Sequence, residues 1–158
     1  MKFKKAKHNV KTVIRDAMKK VKKNRKLKIV NEMWGCYMDP EKGYFTASKG
    51  DQVCALGALL VHKNGSIKFD EFRGKRPLDE IEEEETAAYV LGVDRGWVDD
   101  FISGFDHPND KFLGDTRTAM GKERARAFRI GQELAEEFGL KDDEDDDSCG
   151  DAECSTCA

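Results

Sequence analysis

Cys54 stands where a thiol can be a nucleophile. Three residues before it, Asp51 reads as the N-cap of an apolar stretch, which sets the thiol at the third position of a helix. A helix N-terminus favours the thiolate, the form that attacks carbonyl and phosphoryl centres. A cysteine hydrolase or transferase built on it also needs an imidazole within hydrogen-bond reach. His62 cannot serve, since eight residues of helix separate it from Cys54 by about 12 Å. His107, next to Asp106 in a polar loop, is the candidate partner, and His8 is the other. The plainer role for Cys54 is core packing, because a free cysteine behaves as a small hydrophobe.

Three of the five cysteines, Cys149, Cys154 and Cys157, crowd the last ten residues. Cys154-x2-Cys157 makes one zinc half-site and Cys149 adds a third thiolate. A closed structural zinc site takes four ligands, so Cys36 or a histidine would have to complete it. A mobile thiol tail is the plainer reading. Asp106-His107-Pro108-Asn109-Asp110 with Asp115 offers hard oxygen ligands. It fails the calcium-loop pattern, because Pro108 and Lys111 fill the third and sixth places.

The other chemistry is charge. Residues 1–28 carry thirteen Lys/Arg against a single acid, Asp16, whereas residues 141–158 carry one Lys and eight acids. The net charge of -3 therefore sums a basic head, a mildly acidic body and a strongly acidic tail. Lys4, Lys5, Lys11, Arg15, Lys19, Lys22 and Lys23 are the candidate contacts to phosphate or to an acidic protein, with affinity falling steeply in salt. Arg117, Lys122, Arg124, Arg126 and Arg129 form a second cluster, in which Lys122, Arg126 and Arg129 share a helical face. Only Phe3 is aromatic in the head, so binding there is expected to follow the backbone rather than stack bases. The ordinary alternative is a solvated helix face.

These groups need elements to hold them. From Asn9, a candidate N-cap, Val10, Val13, Ile14, Ala17 and Val21 follow the period of an amphipathic helix. Residues 33–38 and 44–47, joined through Asp39-Pro40-Glu41-Lys42-Gly43, read as a β-hairpin. The stretch from Asp51 to His62, halted at Asn64-Gly65, is apolar on nearly every side and predicts a buried central helix. Gly57 in its interior costs about 1 kcal/mol against Ala, which predicts close approach by another element. Ile67, Phe69 and Phe72 alternate as a short strand. Leu78-Asp79 opens an acidic helix that Gly92 ends, and Trp97, Val98, Phe101, Ile102 and Phe105 share the face of another. The last long helix turns Ala127, Phe128, Gly131, Leu134, Ala135 and Phe138 inward and stops at Gly139, with Leu140 as its staple. Residues 141–158 lack periodicity and predict disorder. The expected fold is mainly α (α+β), with four to five helices around a buried central helix and a small antiparallel hairpin. It is laid out as a flexible basic arm at 1–8, a single globular domain at 9–140 and an acidic tail at 141–158.

Trp34-Gly35, Cys54-Ala55-Leu56-Gly57-Ala58-Leu59 and Phe105-Asp106 resemble the pattern of a family of small bacterial and phage proteins known as a domain of unknown function. In that pattern a Trp and a Gly precede a Cys-Ala-x-Gly-Ala helix start, and an aromatic-Asn-Asp lies near the final helix. Here Gly35 follows the Trp directly and the Asn is missing before Asp106. The resemblance covers roughly residues 10–138 and implies a related fold, with no activity to carry over.

Composition removes several classes. The 37% of charged residues exceeds the usual ~25%. The longest apolar run, Val53–Val61, is far short of the ~20 residues of a membrane-spanning helix. No apolar region follows the basic start, as a secretion signal needs, and an odd cysteine count suits a reducing cytoplasm. No P-loop, dinucleotide-binding glycine pattern, zinc-protease motif or nucleophile elbow occurs. The reading is a cytoplasmic, non-enzymatic binding protein. It presents a basic N-terminal helix to nucleic acid or an acidic partner and is moderated by its tail, which either folds back on the head or only solubilises the chain. Two alternatives stand beside it. One is the Cys54, His107, Asp106 enzyme, and the other an inhibitor or adaptor acting through the acidic tail.

Overall fold

The structure, a computed structural model, describes residues 4–64, 66–67, 77 and 80–140. Among them the protein is mainly helical with a little sheet: α1 (Val10–Asn24), β1 (Lys28–Ile29), β2 (Tyr37–Asp39), β3 (Tyr44–Thr46), β4 (Gln52–Val53), α2 (Ala55–His62), α3 (Glu83–Leu91), α4 (Arg95–Asp106) and α5 (Ala119–Glu137). The chain forms two compact units, one ending at Asp99 and the other beginning at Asp100. The strand expected around Ile67, Phe69 and Phe72 and the helix start at Leu78-Asp79 fall largely outside the described residues.

In the first unit, α1 buries Val10, Ile14, Ala17, Met18 and Val21, so Met18 takes the place in the expected stripe of Val13, which is half-buried. Asn9 is its N-cap residue, but the Asn9 side chain makes no capping hydrogen bond. β2 and β3 form the predicted hairpin, antiparallel, with Tyr37 opposite Thr46 and Asp39 opposite Tyr44. Its turn is held by the Asp39 carboxylate, which accepts from the Glu41 and Lys42 amides at 2.9 and 3.2 Å. β1 and β4 pair in parallel, Lys28 with Gln52 and Ile29 with Val53.

Helix α2 is the buried one. Every residue from Ala55 to Val61 is buried, against α1, α3, β3 and β4. Its start corrects the sequence reading. Asp51 does not cap it, because Gln52–Val53 are extended and paired with β1, which leaves the cap to Cys54. Asp51 instead accepts the Ser48 amide at 2.8 Å in the loop before the strand. The approach predicted at Gly57 is real. A β-carbon there would stand 2.1 Å from the Trp34 carbonyl oxygen. Gly35 next to it has φ +72° and its own β-carbon would overlap the Gln52 carbonyl, so no L side chain fits on either count. Thus Trp34-Gly35 and the start of α2 lie directly against each other. Helix α3 opens on Glu83, Glu84 and Glu85, which suit the positive end of its dipole, and closes at Gly92.

In the second unit, α4 and α5 cross through reciprocal glycines. A β-carbon on Gly104 would meet the Phe128 carbonyl at 2.0 Å, and one on Gly131 the Phe101 carbonyl at 2.3 Å. Phe101 and Phe105 stack at 6.0 Å beside this crossing. Thr118 caps α5 by accepting the Gly121 amide at 2.9 Å. The other end closes as expected: Leu140 donates to Ala135 and Gly139 to Glu136, the paired bonds of a Schellman motif. No helix among the described residues is long and apolar enough to cross a membrane.

Candidate functional site

The thiol candidate is itself the N-cap of α2. Cys54 is 6% exposed, and its sulfur accepts the Gly57 amide at 3.3 Å. Its own amide donates to the Trp34 carbonyl at 3.4 Å. The sulfur thus takes one of the helix-start N–H groups that a Ser or Asp side chain usually satisfies. Cys36 is also buried, and burial, then the proximity of Cys54 and Glu83, raises its thiol well above the usual range. Neither cysteine forms a disulfide. Cys54 belongs to the first unit, while Asp106 and His107 belong to the second. His8 is exposed in the turn before α1. His62 ends α2, where burial and the ammonium groups of Lys63 and Lys20 hold its imidazole below the usual range.

In the second unit, Asp106 ends α4 and His107 opens the loop that follows. Gln132 of α5 fastens that loop, its amide nitrogen donating to the Pro108 and Asp110 carbonyls at 3.1 and 2.6 Å. A cavity of about 320 Å³ lies beside it, bordered by His107, Lys111, Asp100 and Arg124. The expected second basic cluster is largely engaged with acids. Arg124 holds Asp100 at 2.5 Å, Arg126 holds the buried Glu123 at 3.0 Å, and Arg117 holds Asp115 at 3.1 Å. Those bonds from Arg117 lower the Asp115 carboxyl below the usual carboxylate range. Lys122 and Arg129 stand exposed on α5. Arg126, counted among the candidate contacts from its helical face, also pairs with Glu123 at i,i+3, a spacing that places the two side by side on α5.

Among the described residues no group of three or more His, Cys, Asp or Glu side chains is placed to hold a metal ion. The tail cysteines Cys149, Cys154 and Cys157 lie outside the described residues.

The fold arranges the candidate cations of the basic head as follows. Burial of one stripe of α1 turns Lys11, Arg15, Lys19 and Lys22 to the opposite side, at i, i+4, i+8 and i+11, with Lys23 beside them. Lys19, Lys22 and Lys23 are exposed; Lys11 and Arg15 are half-buried, their stems lying along the protein. The one acid of the segment, Asp16, pairs with Lys20 at 3.6 Å. Lys22 and Lys23 also sit in the last turn, where cations complement the helix dipole. Ahead of the helix, Lys4 and Lys5 are exposed, and the Lys4 amide donates to Asp94 at 2.8 Å, fixing the arm beside the end of α3. Ala6 is buried there.

That arm borders a groove of about 360 Å³, walled by Lys7, Asn9, Val10 and Val13 on one side and by Tyr89 and its neighbours to Gly92 on the other. Tyr89 is 42% exposed. Phe3 is the only aromatic within the basic head itself, yet the fold brings in a tyrosine some eighty positions away. Its one signal was position: in α3, Ala87, Ala88 and Leu91 turn inward, which leaves Tyr89 facing out. The chain matches no protein-family model, and neither a curated protein nor a solved structure shows significant similarity to it.

Proposed function

We propose that the protein is a cytoplasmic binding protein whose basic N-terminal arm and helix engage the phosphate backbone of nucleic acid. The observation that carries this reading is the cationic stripe of α1. Residues 4–28 present twelve Lys/Arg with a single carboxylate, and the apolar stripe on the other side is already buried. Such a face attracts a polyanion over a Debye length and gains affinity by releasing condensed counterions. The acidic tail moderates it, since its eight carboxylates compete with phosphate for the same cations.

The test is salt dependence. Each phosphate contact on duplex DNA contributes about 0.9 to the slope of log affinity against log salt. Exchanging Lys11, Arg15, Lys19 and Lys22 for Gln should flatten that slope by roughly 3 to 4. Deleting residues 141–158 should tighten binding at low salt. A four-Gln variant that binds as the parent does at every salt concentration ends the proposal. Tighter binding to polyglutamate than to any oligonucleotide would replace it with an acidic protein partner.

A further inference from the structure

We infer that the groove between the start of α1 and the end of α3 takes an unpaired nucleobase stacked on Tyr89, which makes single-stranded nucleic acid the preferred ligand. This deepens the backbone-binding reading and rests on it. Three observations converge. The groove, at about 360 Å³, falls within the roughly 300–1,000 Å³ of small-ligand sites and is amphipathic, with Val10 and Val13 lining it. An exposed aromatic stands at its edge, and a base stacks on an aromatic ring whatever its sequence. Asn9 lines it too, and its amide, unused as a helix cap, offers a donor and an acceptor to a base edge.

Charge selects the occupant. Lys7 lines the groove and Lys4 and Lys5 flank it, set there by the bond from the Lys4 amide to Asp94. Two acids face the other way in this balance, Asp94 itself and Glu85, one helical turn before Tyr89. Three lysines against two carboxylates leave the surround of the groove cationic by one charge. A nucleotide strand therefore has phosphate contacts along the arm that borders a base-sized slot. A duplex keeps its bases stacked inside and gains only the phosphate contacts.

The experiment uses the full chain and fluorescence anisotropy with a labelled oligo(dT) 20-mer, a mixed-sequence single strand and a duplex of the same length. Single strands should bind more tightly than the duplex at equal salt. Tyr89→Ala should weaken single-strand binding by roughly 5- to 100-fold while leaving duplex binding unchanged, and Tyr89→Trp should preserve or tighten it. A far-ultraviolet dichroism melt confirms that the variants fold, as expected for an exposed side chain. If Tyr89→Ala binds both forms like the parent, the groove inference is overturned while the cationic-face reading stands. If the parent binds neither form, both fall.

Discussion

Replacing Gly57 by alanine puts a methyl group 2.1 Å from the Trp34 carbonyl oxygen, where ordinary contact begins near 3.4 Å. Relief requires a backbone shift of more than 1 Å. The Trp34 segment cannot give easily, because its oxygen accepts the Cys54 amide and Gly35 is wedged against the Gln52 carbonyl. Overpacking of this kind costs about 1–3 kcal/mol, and losing the bond to Trp34 adds roughly 1. The better helix propensity of alanine returns about 1 kcal/mol. The net is a loss of about 2 kcal/mol, or some 4–8 °C in Tm for a chain of this size. Gly96 of α4 is the internal control. Nothing lies within 4 Å of its β-carbon position, so Gly96→Ala should gain up to about 1 kcal/mol. Thermal melts followed at 222 nm, with urea titrations beside them, measure both. A Gly57→Ala protein that melts at or above the parent would refute the idea that the Trp34 backbone is seated on α2.

Two further outcomes follow from the titratable groups. A hydrogen bond to Asp99, then burial, then the Asp99 charge, raise the Glu84 carboxyl from its ordinary 4.5 to about 7, against the opposing pull of Arg95. Its folded-state value lies above its unfolded one, so the stabilisation is full below about pH 4.5 and is lost as the pH rises through 7. Asp99→Asn should therefore raise Tm at pH 8 and leave it little changed at pH 5; an identical gain at both would contradict the shared proton. Glu84 is half-buried and Asp99 exposed, so solvent screening keeps the effect small. For the thiols, alkylation at neutral pH followed by peptide mass spectrometry should leave Cys36 and Cys54 unmodified until the fold opens. Rapid labelling of Cys54 would contradict its role as a buried cap and restore the case for thiolate chemistry.

Periodicity carried most of the helical architecture. The stripe of α1, the all-round apolarity of α2 and the inward set of α5 each follow from one segment's own spacing. The helix start at Cys54 did not, because Asp51 is a good cap locally and loses the role only when Gln52–Val53 pair with a strand more than twenty positions earlier. Gly57 was legible as a close approach, but the identity of the approaching group was a long-range fact. The candidate site divides in the same way. The cations of the head are visible as composition, whereas Tyr89 joins them only across the groove that α1 and α3 line together.

The parallel pairing of Lys28–Ile29 with Gln52–Val53 also pins both ends of the chain between them. Between these fixed ends the hairpin packs on α2 through β3, and its turn lies at the exposed far end. Lengthening a loop whose ends are already fixed costs only about 0.6 kcal/mol per doubling. The tip at Lys42-Gly43 has open space around it, with nothing within 4 Å of a β-carbon at Gly43. It is therefore a port into the molecule. A fluorophore or an affinity peptide inserted there can report on a bound strand, or retrieve it, with neither helix disturbed.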